Sequence, residues 1–202
     1  MNRAASSIQA LIFDFDGTLV DTMPLHFEAY RRVLAEVDIE LSAADFYGSI
    51  GGNARETIPK FLRGRPCRLS SEEIHARKKA VVSELFQTRP IPVLETAQLL
   101  ELFAGRFKTA LASSGSRAGI EQVLRRLGWM EYFDAIVAGE DVSQGKPAPD
   151  LFLLAARKLS VEPHACLVFE DTEAGVAGAR HAGMRVFDVR ATTPSSRVPQ
   201  RQ

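Results

Sequence analysis

The chain has 202 residues, 46% hydrophobic and 25% charged, with 25 Lys and Arg balanced by 25 Asp and Glu. This composition excludes disorder, collagen, coiled coils and disulfide scaffolds, and zero net charge argues against a dedicated nucleic-acid binder, so any charge-driven function must be local. The length fits one compact domain, or one carrying a modest insert, large enough to fold without staples. The two cysteines, Cys67 and Cys166, are too few and too far apart for a disulfide framework or a zinc pattern, and Cys166 lies in an apolar run expected to bury its thiol. The polar stretch 1–10 lacks the apolar centre of a signal peptide, and no apolar run approaches the roughly 18 residues of a membrane span. These features are read as a cytoplasmic, monomeric protein with a small-molecule partner and neither a nucleic-acid nor a membrane partner.

In chain order, the first strand is Leu11-Ile12-Phe13. Helical patterns follow over about 24–37, 53–63 and 71–87, with no convincing strand between them. Asp21-Thr22-Met23-Pro24 and Arg89-Pro90-Ile91-Pro92 flank this stretch, and proline marks both joints as element boundaries. After the second joint short apolar runs alternate with helices: a helix at 93–104, a strand at 110–112, a helix at 116–128, a strand at 135–137, helices at 150–159 and 173–182 around a strand at 167–169, and a last strand at 185–189. Short, almost wholly apolar strands alternating with helices indicate a parallel sheet covered on both faces. The expected fold is therefore α/β, a Rossmann-like doubly wound sheet formed by 1–21 and 91–202, with an α-helical insert over 22–90. The polar tail from Ala191 onward is expected to fray.

Polar residues gather where strands end, the edge at which open parallel sheets bind ligands. Asp14 and Asp16 follow the first strand one residue apart, and Gly17 allows the sharp turn after them. Ser113-Ser114-Gly115-Ser116 places hydroxyls and free backbone N–H groups before a helix, a ready anion site. Lys146 sits between Gly145 and Pro147 in a loop stiffened by two prolines. Glu170 and Asp171 end the fourth strand. Each segment alone has an ordinary structural explanation, as a solvated turn or a helix cap; Asp171, for example, could cap the following helix. Together they pool up to four negative charges against one lysine. A hard divalent cation such as Mg²⁺ relieves that repulsion, holding one or two carboxylates plus a substrate phosphate. One carboxylate could then attack phosphorus and another supply a proton to the leaving oxygen.

The set DxDGTxxD at 14–21, Ser113, Lys146 and the pair Glu170-Asp171 resembles the haloacid dehalogenase superfamily, in the family's order and across nearly the whole chain. The insert, Lys146-Pro147-Ala148-Pro149-Asp150 and 169–175 resemble its β-phosphoglucomutase-like subgroup with a small helical cap, and 182–190 resembles that subgroup's sugar phosphatases. The resemblance implies a Mg²⁺-dependent phosphatase of a small phosphorylated metabolite, with a sugar-phosphate mutase as the alternative. It makes Asp14 the nucleophile, Asp16 the general acid and base, and Ser113, Lys146 and the Ser114 backbone the phosphoryl-binding groups. It surrounds the metal with Asp14, the Asp16 carbonyl, Glu170 and Asp171. An acid at position 16 favours a phosphate ester, since the family's dehalogenases lack one there. From the insert it brings Arg55, in the first turn after an Asn53–Glu56 capping box, and Lys79 as substrate contacts. His26 is read equally as a surface or packing histidine or a substrate contact.

Overall fold

The structure, a computed structural model, describes residues 7–49 and 54–191, with Ala54, Arg55 and Glu56 described only as helix backbone. Five strands form one parallel sheet: β1 (Ala10–Phe13), β2 (Lys108–Ala112), β3 (Ala135–Val137), β4 (Cys166–Glu170) and β5 (Arg185–Asp188), in the order β3-β2-β1-β4-β5. β1 lies at the centre, with Ile12 paired to Ala110 on one side and Val168 on the other. The chain winds from β1 through β2 to β3, then crosses to β4 and winds outward to β5. The reversal falls between β1 and β4, and ligands in such sheets bind outside the carboxyl ends at that point.

Strand alternation sorts the core into two layers. Leu11 and Phe13 face α5 (Thr96–Phe103) and α6 (Arg117–Leu127), packing with Leu100, Ile120 and Leu124. Ala10 and Ile12 face α7 (Asp150–Leu159) and α8 (Glu173–His181), packing with Phe152, Ala155 and Ala179. Phe13 and Phe169 stack flat at 4.6 Å, joining β1 to β4.

Between β1 and β2 lie α1 (Met23–Ala35), α2 (Ala43–Tyr47), α3 (Ala54–Leu62) and α4 (Ser71–Thr88). They enclose a core of their own, including Tyr30, Leu34, Phe46, Phe61 and Ile74. α2 is absent from the sequence expectation. It is a single short turn capped by Ser42, with only Phe46 buried, too short to show a helical period. The helix expected from 93 begins instead at Thr96. Val93 forms an antiparallel bridge with Val20, and Asp21 N–H donates to the Pro92 carbonyl at 2.9 Å, so the two joints run side by side. The expected Asn53 cap and the polar tail after Ala191 fall outside the described residues. Cys166 is buried as expected, and burial pushes its thiol up to about 11.

Candidate active site

Asp14 leaves the central strand with its side chain buried, and Lys146 reaches it from the loop before α7. Lys146 Nζ donates to Asp14 Oδ1 at 2.5 Å and to Glu170 Oε2 at 2.6 Å. Burial opposes the ammonium's charge, but the two carboxylates outweigh it and hold the group firmly protonated. The Lys146 Nζ also stands 5.4 Å from the centre of the Phe152 ring. Glu170 is fixed at its other oxygen: Thr172 N–H and Oγ1 donate to Oε1 at 2.9 and 2.8 Å, and Asp171 N–H at 3.2 Å. Thr172, not Asp171, caps α8, accepting from Gly175 N–H at 3.0 Å. Asp171 is thereby left to the site, where Thr18 Oγ1 donates to it at 3.1 Å.

Asp14, Glu170 and Asp171 each turn one oxygen into a common space, all within 4.8 Å of one another. Burial, then the charge of Glu170, raise the Asp14 carboxyl well above its usual range and the Asp171 carboxyl to about 6. One lysine therefore does not balance this cluster. Gly17, at φ +88°, brings the turn so close that a Cβ would collide with the Asp171 carboxylate. Three hard oxygen donors, two buried and one half-buried, short of positive charge and with no room for a bulkier neighbour, fit Mg²⁺.

Asp16 turns away from that cluster, toward the helical segment. Thr22 Oγ1 donates to its Oδ1, His26 Nε2 lies 3.3 Å from the same oxygen, and Ser113 Oγ is 3.4 Å from Oδ2. Burial alone would raise the Asp16 carboxyl; the hydrogen bond and charge of His26, then the Thr22 hydrogen bond and the Lys78 charge, overcome it and lower it to about 2. Lys78 Nζ lies 2.7 Å from His26 Nδ1. An ammonium is only a donor, so the network assigns the ring proton to Nε2, facing Asp16. Burial and the adjacent ammonium lower that ring's pKa, against the pull of Asp16. Phe86 meets it edge-on at 5.5 Å.

These groups open on a cavity of about 220 Å³ between the sheet edge and the helical segment. Asp14, Asp16, Ser113 and Lys146 line its floor; Tyr30, Thr57, His75 and Lys78 line its helical side. Ser114 is exposed in the turn between β2 and α6, and Lys79 is exposed at the rim. Of the residues expected from sequence, Asp14, Asp16, Ser113, Ser114, Lys146, Asp171 and Lys79 share this cavity, and Glu170 stands behind it. The Arg55 side chain lies outside the described residues. Sequence reasoning missed Thr22 and Lys78. The signal for Lys78 was helix phase: it lies on the same face as the buried Ile74 and Val82, whereas Lys79 is turned about 100° away.

A sequence model of the haloacid dehalogenase-like hydrolase family matches residues 8–183. The chain belongs to that family. Among haloacid dehalogenase-like proteins, a phosphorylated carbohydrates phosphatase of Thermotoga maritima is 39% identical over 188 residues, covering 90% of this chain and 85% of that protein. The β-phosphoglucomutase of Bacillus subtilis is 33% identical over 187 residues, covering 88% of this chain and 81% of its own. The crystal structure of CbbY from Rhodobacter sphaeroides in complex with phosphate superposes with a TM-score of 0.83 at 31% identity, covering 89% of this chain and 84% of that one. The family's α/β fold and the described sheet agree. No described helix is long and apolar enough to cross a membrane.

Proposed function

We propose that this haloacid dehalogenase-like hydrolase is a Mg²⁺-dependent phosphatase of a small phosphorylated metabolite, a sugar phosphate, working through an aspartyl-phosphate on Asp14. The observation that carries the reading is the placement of Lys146 between Asp14 and Glu170, at the floor of a cavity that Asp14 and Asp16 also line. The named activities of the relatives support the substrate class.

Lys146, Ser113 Oγ and the N–H groups at the start of α6 hold the phosphoryl oxygens and align phosphorus with Asp14. Asp14, Glu170, Asp171 and the Asp16 carbonyl hold the cation. When bound, Mg²⁺ supplies positive charge that favours the ionised Asp14 and offsets the substrate's negative charge. Asp14 attacks phosphorus as the bond to the leaving oxygen breaks. Asp16, whose proton affinity rises beside the incoming phosphate, gives that oxygen its proton. The resulting Asp16 carboxylate then takes a proton from the water that cleaves the aspartyl-phosphate. Residues 22–90 serve as the cap and, with Lys79 and Arg55, choose the substrate above a core of 1–21 and 91–202.

The test is phosphate release from a panel of sugar phosphates with Mg²⁺ or EDTA, run with wild type and Asp14→Asn. Release that needs Mg²⁺ and vanishes in Asp14→Asn is expected. Isomerised sugar phosphate without free phosphate would make the protein a mutase, and a variant of undiminished rate would remove Asp14 as nucleophile.

A further inference from the structure

Helix α4 belongs to two cores at once. Ile74 packs inside the helical segment, while Val82, Leu85 and Phe86 pack against the sheet layer. Along this second half α6 reaches across to it. Ser83 Oγ donates to Gln122 Oε1 at 2.8 Å, and Gln122 Nε2 donates back to the Ser83 carbonyl at 2.8 Å. One turn further along α6, Arg126 Nη1 donates to the Phe86 carbonyl at 2.6 Å and to the Arg89 carbonyl at 2.7 Å. Those carbonyls close the end of α4, where helical partners run out and a cation is favoured. Gln122 and Arg126, four apart, stand on one face of α6.

The same helix delivers Lys78 to the site. Lys78 precedes Ser83 by five residues, about 7.5 Å along the axis, and contacts His26, which contacts Asp16. Phe86, whose carbonyl Arg126 holds, packs its ring against His26. Apolar burial of Val82 and Leu85 holds α4 down but is not directional, so it resists sliding and rotation weakly. Hydrogen bonds are directional. Here two sets of them, one turn apart, fix both how far α4 sits along α6 and how it is turned.

We infer that Gln122 and Arg126 are positioning residues for phosphoryl transfer, holding α4 in the register that lets Lys78 and Phe86 orient His26 against Asp16. The inference rests on the phosphatase reading above. It separates the two residues from surface neighbours such as Arg125, whose exposed side chain, among the described residues, pairs with Glu121 on its own helix.

The experiment compares Gln122→Leu, Arg126→Met, Arg126→Lys, Arg125→Ala, Lys78→Met and the double variant Gln122→Leu/Lys78→Met, with para-nitrophenyl phosphate and Mg²⁺. Thermal melting fixes the folded fraction, so that kcat is expressed per folded molecule. Gln122→Leu and Arg126→Met are expected to lower kcat by about ten- to a hundred-fold with KM changed by less than about two-fold, as for a misplacement felt only in the reaction step. Arg126→Lys restores most of the rate, because an ammonium still reaches the two carbonyls. Arg125→Ala matches wild type. In the Lys78→Met background Gln122→Leu adds no further loss, because both act through one contact. Should Gln122→Leu fail to fold, Gln122→Glu keeps the size and the acceptor for Ser83 but loses the donor, and carries the same expectation. A lowered melting temperature with unchanged kcat, or losses that add in the double variant, overturns the inference while leaving the phosphatase reading intact. A wild type that hydrolyses no phosphate ester overturns both.

Discussion

Gly175 stands directly against the Glu170 carboxylate: a Cβ at that position would occupy the space of the carboxyl carbon and both its oxygens. The helix that follows β4 starts this close because its first turn carries glycine, and that closeness lets Thr172 cap the helix and hold Glu170 together. Gly175→Ala is therefore expected to displace Glu170 from Lys146 and lower kcat/KM by about two orders of magnitude. Helix propensity alone predicts the opposite sign for stability, since alanine is the better helix former by about 1 kcal/mol. Steady-state kinetics with a Mg²⁺ titration checks this; unchanged values in both would show that Glu170 does not need the space.

Lys146 carries the positive charge for two buried carboxylates, Asp14 and Glu170. Lys146→Met leaves both without it. Removing one partner of a buried pair costs about 3–5 kcal/mol, and a loss of that size is expected in urea unfolding with EDTA. A cation that binds only the folded chain stabilises it by mass action. Mg²⁺ should therefore raise the variant's unfolding midpoint more than wild type's while activity stays low, because the phosphoryl group still lacks its ammonium. A variant as stable as wild type in EDTA would count against the shared ion pair.

The raised Asp171 carboxyl gives a pH dependence opposite to that of an ordinary salt-bridged aspartate. Its unfolded value is 3.8 and its folded value about 6, so between them the folded chain binds more protons. Stability from this group is present below about 4 and lost as pH rises through about 6. In EDTA, Asp171→Asn should match wild type near pH 4 and exceed it at pH 7. Mg²⁺ should reverse the order at pH 7, because the ionised carboxylate is then the ligand. Urea midpoints at the two pH values decide it, and a constant difference between the proteins would contradict the shift.

The parallel sheet was legible because its strands are short apolar runs that end in the polar residues of the site, as Phe13 does at Asp14 and Phe169 at Glu170. Those residues are read from one place each. The contacts of Asp16 are not: Thr22 and His26 come from α1 and Lys78 from α4, and only the packing of the helical segment over the sheet edge brings them together. Local pattern offered His26 as a packing residue or a substrate contact alike; the structure sets it edge-on to Phe86 and bonded toward Asp16. The family resemblance supplied Lys79, at the cavity rim; the helix phase set by Ile74, Val82 and Phe86 adds its neighbour Lys78. The short helix at Phe46 gave no period to detect, yet its ring helps line the same cavity.

Lys78 brings a titration into the working range of the site. Burial lowers its ammonium to about 8, against the pull of Asp16. While protonated it fixes the His26 proton on Nε2, toward Asp16; the neutral amine can also accept a proton from Nδ1 and no longer fixes that tautomer. The rate at saturating substrate is therefore expected to fall as pH rises through about 8. Lys78→Arg, whose guanidinium stays charged, should have a flat profile there, and Lys78→Met should be slow at every pH without the alkaline limb. Stability moves the other way. The unfolded lysine titrates near 10.5, so between about 8 and 10.5 the unfolded chain binds more protons and the fold gains stability as pH rises. A rate that falls while this contribution to the unfolding midpoint climbs separates loss of catalysis from loss of structure. An alkaline limb that persists unchanged in Lys78→Arg would assign it to another group.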